Sequence, residues 1–178
     1  MKSKKITIRQ ASNHDIDELE RLYDKLNDYL ESTINYPGWK KGVYPTRKDA
    51  INGINEECLY VAIYNGNIVG SIILRHKPEP AYLEAKWLRD LSYEHVYVIY
   101  TFVVHPSYLG QGVGQAMIEF ATEHSIKSNV KSIRLDVYEK NLPAIRLYEK
   151  CGFKYVGTID LGLESYGLKW FKIYEKII

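Results

Sequence analysis

The sequence predicts a mixed α/β fold, in which one central sheet of about seven strands carries helices on both faces. Three observations predict it. Apolar runs of strand length alternate with amphipathic stretches of helical length. Their order along the chain reads β-α-α-β-β-β-α-β-α-β-β, too interleaved for separate helical and sheet domains. The most apolar run, 96–104 (VYVIYTFVV), lacks polar alternation and belongs at the centre of the sheet, covered on both faces.

The elements follow in order. Residues 5–10 read as a first strand. Ser12 or Asn13 is placed to cap a helix, with Asp15, Asp17 and Glu18 in its first turn. Ile16, Leu19, Leu22, Tyr23, Leu26 and Leu30 form one stripe, which carries this helix to about Glu31. The segment 33–46 holds Pro37, Gly38, Gly42 and Pro45 and reads as a loop rich in aromatic residues (Tyr36, Trp39, Tyr44), before a second helix over about 46–57. Strands at 59–64 and 68–74 flank Asn65-Gly66, a hairpin signal. Residues 76–93 are irregular, with Pro78, Pro80 and a short helix expected near 83–88. After the central strand comes a third helix at about 112–127, a strand at 132–138 with Ile133, Leu135 and Val137 on one face, and a short helix at 142–150. Pro143 suits the first turn of that helix and Gly152 its C-terminal end. Two last strands, about 153–158 and 168–176, pair through a loop holding Gly162 and Gly167.

The chain has 178 residues and a formal net charge of +2, which fits one domain over 1–178 and gives no strong attraction to nucleic acid or an acidic membrane. The basic start, Met1-Lys2-Ser3-Lys4-Lys5, runs into alternating Ile6 and Ile8 and not into an apolar signal segment, and no run is long and apolar enough to span a bilayer. Cys58 and Cys151 form no C-x-x-C and, with the five histidines, no metal-ligand spacing, so no metal is expected and a reducing cytoplasmic setting is.

Chemistry enters at the end of the central strand. The apolar run breaks at His105-Pro106, and Gly110, Gly112 and Gly114 lead into a helix. Such a turn aims several backbone N–H groups and the positive end of a helix dipole at one spot, a cradle for a pyrophosphate. The loop lacks the Lys-Ser/Thr of a P-loop. The dinucleotide fingerprint fails as well, because its last glycine falls on Gln115 and His105 to Leu109 separate the first from the strand, even though Asp136 stands at a fitting distance for a ribose contact.

A second block, LDVYEKNLPAIRLYEKCGFKYVG at 135–157, changes the reading. Together the two blocks resemble the GNAT-type, acyl-CoA-dependent N-acetyltransferases. Leu109-Gly110-Gln111-Gly112-Val113-Gly114 resembles that family's acyl-CoA loop, with Leu109 where a Gln or Arg is usual. Asn141, Ala144, Tyr148, Gly152 and Phe153 match its Asn-x-x-Ala-x-x-x-Tyr-x-x-x-Gly-Phe block. The resemblance implies a GNAT-like α/β fold with a mixed, mostly antiparallel sheet, and transfer of an acetyl group from acetyl-CoA to a primary amine of a small molecule or a peptide, by direct attack in a ternary complex. The alternative is a non-catalytic acyl-CoA-binding regulatory module, motivated by Leu109 and by a missing carboxylate on the central strand.

The resemblance also implies roles. The pantetheine arm of acetyl-CoA would pair beside Phe102, Val103 and Val104, with a backbone N–H near Val103 polarising the thioester carbonyl. The pyrophosphate would lie on the N–H groups of Leu109, Gly110, Gln111, Gly112, Val113 and Gly114. Asn141 and Ala144 would meet the cofactor, and Tyr148 would protonate the leaving sulfur. The base stays open: family members often carry a Glu or Asp near the position of Tyr100, and the candidates here are Tyr100 itself, or Glu94 and His95 acting through water. Tyr36, Trp39 and Tyr44, with Tyr166 of the last loop, would line the acceptor side. Exposed strand edges near the C-terminus would suit a homodimer.

Overall fold

A computed structural model describes residues 5–178; the basic segment Met1 to Lys4 lies outside the described residues. The strands are β1 (Thr7–Gln10), β2 (Leu59–Tyr64), β3 (Asn67–Arg75), β4 (Val96–Val104), β5 (Ser132–Tyr138), β6 (Lys154–Ile159) and β7 (Phe171–Ile177), and the helices are α1 (Ile16–Ser32), α2 (Arg47–Asn55), α3 (Val113–Lys127) and α4 (Leu142–Lys150). The seven strands form one sheet in the order β1-β2-β3-β4-β5-β7-β6. Pairing is antiparallel between β1 and β2, β2 and β3, β5 and β7, and β6 and β7, and parallel between β4 and β5. The sheet is therefore mixed and mostly antiparallel, as the resemblance implies.

The chain gathers into two compact units, one of residues up to 34, 39–73 and 101–120, the other of 35–38, 74–100 and 121–178. In the first, Leu19, Leu22, Tyr23 and Leu26 form the buried stripe of α1, and the Tyr23 hydroxyl accepts from Ser71 of β3 at 3.4 Å. Capping decides where the chain turns helical: Ser12 caps a 3-10 turn, Asn13–Asp15, that leads into α1, and Thr46 caps α2. The Ser12 N–H donates to the Asp15 carboxylate at 2.8 Å and the Thr46 N–H to that of Asp49 at 2.7 Å, so each helix entrance satisfies donors that would otherwise be orphaned. Arg9 grips Asp15 through two bonds of 2.8 Å and holds its carboxyl below the ordinary range.

In the second unit both faces of β5 are covered. Ile133, Leu135 and Val137 fill one face as read from the sequence, but Ser132 and Arg134 on the other are equally buried. The segment between β3 and β4 covers that face. Its expected helix near 83–88 is instead a 3-10 turn at Pro80–Glu84, with another at Tyr93–His95. Pro80 stands at the first position of the first turn, where proline is tolerated, and Trp87 ties the segment by donating its indole N–H to the Tyr82 carbonyl at 2.9 Å. The last strand begins three residues later than expected, because Leu168 is used in a bridge to Leu163 that closes the preceding loop.

Among the described residues no helix is long and apolar enough to cross a membrane, and no group of three or more His, Cys, Asp or Glu side chains is placed to hold a metal ion.

Candidate functional site

The glycine loop is shaped by backbone conformation. After β4 a 3-10 turn at Pro106–Tyr108 is steadied by His105, whose Nδ1 accepts the Ser107 N–H at 3.1 Å. Gly110 and Gly112 then take φ of +69° and +87°, with no described atom within 4 Å of where a Cβ would stand on either. Crowding does not demand glycine there; the left-handed backbone does. The first helical bond of α3 runs from the Ala116 N–H to the Gly112 carbonyl at 3.0 Å. By helix geometry the N–H groups of Gly112, Val113, Gly114 and Gln115 then have no acceptor inside the helix. No acidic residue stands in this first turn to compete for the positive end of the dipole. A hollow of about 410 Å³ opens beside Gln111, Gly112, Gln115 and Ala116, edged also by Ile6 and Glu119. Leu109, at 44% exposure, points no charge into it.

β4 departs from the expectation of a strand covered on both faces throughout. It is buried continuously only to Ile99; beyond, Thr101 and Val103 are buried while Tyr100, Phe102 and Val104 are half-buried. The register explains why. Val96, Tyr97 and Val98 sit opposite Ser132, Ile133 and Arg134, and the β4–β5 ladder goes no further. From Ile99 onward β4 has no register partner on β5. Just past this opening, Thr101 takes φ of +46°, a left-handed conformation that a β-branched residue rarely adopts, within the run of the strand. The Tyr44 and Thr101 hydroxyls lie 2.7 Å apart and pin the irregularity in place.

The predicted residues fall in separate places along the chain. Phe102, Val103 and Val104 occupy the part of β4 beyond the ladder, and Leu109 to Gly114 form the loop described above. Asn141 and Ala144 meet at the start of α4, where the Asn141 side chain accepts the Ala144 N–H at 3.4 Å, so Asn141 is an N-cap. Tyr148 is 5% exposed and packs edge-on against Phe153, with ring centroids 5.7 Å apart. Glu94 and His95 stand just before the N-terminal end of β4, and the whole strand separates them along the chain from the glycine loop.

Tyr100 is engaged as a donor. Its hydroxyl donates to the Lys77 carbonyl at 2.8 Å, and burial together with the negative charges of Glu79 and Asp136 raises its pKa, so it holds its proton near neutrality. Of the residues expected to line the acceptor, Trp39 and Tyr44 meet edge-on at 5.3 Å, while Tyr166 is 63% exposed in a 3-10 turn. Gly38, at φ +72°, lies so close to Leu168 that a Cβ there would collide with Leu168 Cδ2. The two loops named for the acceptor are thus in contact at Gly38 and Leu168.

Sequence reading misses Asp136 as a member of an acidic cluster. It lies on β5 two positions past Arg134, and its Oδ2 accepts the Tyr82 hydroxyl at 2.6 Å. Burial raises its pKa to about 6, against the lowering effect of the Tyr82 bond and with a further rise from Glu79. The available signal is a lone acid within an otherwise apolar stretch, LDVY, which by its distance from the glycine loop suggests only a ribose ligand.

Residues 19–153 match the model of the acetyltransferase (GNAT) family. Streptothricin acetyltransferase from Escherichia coli is 33% identical over 124 residues, 68% of this chain and 62% of that protein. The chain spans about three-fifths of the length of that protein and of an N-acetyltransferase from Methanocaldococcus jannaschii that is 27% identical over 157 residues. A GNAT-family acetyltransferase from Streptococcus agalactiae superposes with a TM-score of 0.76 at 23% identity, covering 97% of this chain and 95% of that one. YncA from Salmonella typhimurium, solved with its cofactor acetyl-CoA, does so with a TM-score of 0.70 at 15% identity, over 97% and 93% of the two chains. With the family model covering most of its length, the chain belongs to the acetyltransferase (GNAT) family.

Proposed function

We propose that this protein transfers an acetyl group from acetyl-CoA to a primary amine of a small molecule, by direct attack of the amine on the bound thioester. The observation that carries this reading is the end of the β4–β5 ladder at Val98 and Arg134, followed along the chain by a helix entrance with left-handed glycines. A strand edge released from its neighbour offers backbone N–H and C=O groups to the amide-containing pantetheine arm, much as an added strand would use them. The helix entrance offers its N–H groups to the pyrophosphate.

In this reading the thioester carbonyl points at a backbone N–H near Val103, which stabilises the oxyanion as the C–N bond forms. Tyr148 donates its hydroxyl proton to sulfur as the C–S bond breaks. Asn141 and Ala144 fix the start of α4 against the cofactor. Leu109 leaves anion binding to the main chain. Trp39, Tyr36 and Tyr166 offer aromatic surface to a cationic acceptor, and Tyr44 supports the strand through Thr101. The E. coli relative is named for a small-molecule acceptor, which favours that class over a protein. With only two cysteines in 178 residues, a reducing, cytoplasmic setting is the one this reading assigns.

The test is thiol release from acetyl-CoA over a broad panel of amines. Turnover on at least one amine is expected. Saturable acetyl-CoA binding without turnover on any of them would favour the non-catalytic acyl-CoA-binding module instead.

A further inference from the structure

Resting on the acetyltransferase reading, we infer that Asp136 takes the proton from the acceptor's ammonium group, and that the acceptor is therefore an alkylamine that arrives charged. Three observations place a proton acceptor here. Val98 and Arg134 are the last partners of the β4–β5 ladder, so Tyr100 and Asp136, each two residues further on the same face, flank its opening. Tyr82, which is 1% exposed, holds Oδ2 of Asp136 at 2.6 Å, fixing the carboxylate while Oδ1 accepts no hydrogen bond among the described residues. Glu79 and Tyr82 face the group from the segment before β4 and Tyr100 faces it from β4, while the cation of β3, Arg75, lies over the Tyr100 ring at 5.3 Å and does not appear among the charges that act on Asp136. On β7 its cross-strand partner is the uncharged Ile173, and the nearest cation on β5, Arg134, is tied to Glu175. A cation is the species such a cluster favours.

The carboxylate is also suited to the task. With a pKa of about 6 it is ionised at neutral pH, yet more basic than an exposed carboxylate. Tyr100 keeps its proton, and Glu94 and His95 stand at the other end of β4 from this opening.

The balance is complete. An ammonium proton passes to Oδ1 of Asp136, leaving a neutral amine and a carboxylic acid. The nitrogen lone pair forms the C–N bond, the C–S bond breaks, and the electron pair leaves on sulfur. The nitrogen sheds a second proton, which replaces the one Tyr148 gives to sulfur, and Asp136 returns its proton to water. The products are the amide, free coenzyme A and one proton.

The experiment takes the best alkylamine of the panel and its β,β-difluoro analogue, whose ammonium is far more acidic. With the alkylamine, Asp136→Asn should lower kcat/KM by about a hundredfold or more, the range of general-base effects, with acetyl-CoA affinity unchanged. With the analogue assayed where it is mostly neutral, most of that loss should disappear. Tyr82→Phe removes a bond that favours the ionised carboxylate, so the acidic limb of the kcat/KM profile should move to higher pH. This second variant decides the matter if Asp136→Asn fails to fold. Wild-type turnover with an unchanged rate in Asp136→Asn, or an unmoved limb in Tyr82→Phe, overturns the role of Asp136 and leaves the acetyltransferase reading intact. A wild type that binds acetyl-CoA but acetylates no amine overturns both.

Discussion

Arg134 and Glu175 are cross-strand partners on β5 and β7 and form an ion pair, Nε to Oε1 at 3.0 Å, with side chains 2% and 0% exposed. The pair organises the segment that covers this face. Glu175 also accepts the Leu88 N–H at 2.6 Å and the Ser132 hydroxyl, while Arg134 donates to the Arg89 carbonyl at 2.7 Å and lies over the rings of Trp87 and Tyr93. Removing one partner leaves the other charge buried and unpaired. Glu175→Gln is expected to destabilise the protein by about 3–5 kcal/mol, measured by urea unfolding. Arg134→Met with Glu175→Leu should recover only part of that loss, because the Leu88 N–H and Ser132 hydroxyl would still lack their acceptor.

This pair also shows what the sequence conceals. The limits of β4, β5 and α4 are legible because apolar runs, Pro143 and Gly152 punctuate them. An alternating strand looks half-exposed, and nothing in Ser132-Ile133-Arg134 announces that an arginine is buried as deeply as its isoleucine neighbour. That depends on Glu175, 41 residues away. The glycine loop is legible because backbone conformation is a local property. The setting of Asp136 is not, since Tyr82 reaches it across 54 residues.

Substituting Gly112 tests the anion cradle. At φ +87° an alanine meets no steric neighbour but adopts a conformation costing about 1–2 kcal/mol. A free loop that relaxes to relieve this must recover the strained form when acetyl-CoA binds. Gly112→Ala should therefore weaken acetyl-CoA roughly tenfold by calorimetry, with little change in unfolding midpoint. An unchanged affinity would remove the loop from the cofactor site.

Tyr148→Phe separates packing from proton transfer. The ring can keep its edge-on contact with Phe153, so stability and acetyl-CoA affinity should hold. Loss of the acid should lower kcat by about a hundredfold or more, read from the rate of thiol release at saturating substrates.

Gly38→Ala probes the acceptor loops. Its Cβ would press on Leu168 Cδ2, and φ +72° would remain unfavourable even if Leu168 moved. The expected result is a higher KM for the amine with acetyl-CoA affinity unaffected. Adding Leu168→Ala should relieve the contact and restore part of the KM, leaving the conformational share.

Asp136 carries a stability consequence that runs opposite to that of a salt-bridged acid. Its pKa is about 6 in the folded protein, against about 4 in an unfolded chain. Between those values the folded state binds more protons than the unfolded one, so this group makes stability fall as pH rises through the window. Above it the ionised carboxylate costs of the order of 2–3 kcal/mol. Asp136→Asn keeps an oxygen to accept the Tyr82 hydroxyl and cannot ionise. It is therefore expected to match the wild type in urea unfolding at about pH 4 and to be the more stable of the two at about pH 7.5, on either side of that window. A variant less stable than wild type on the alkaline side would mean that the folded protein stabilises the charge. The predicted pattern is that of a carboxylate kept ionised at the expense of stability, in the place where an incoming ammonium would neutralise it.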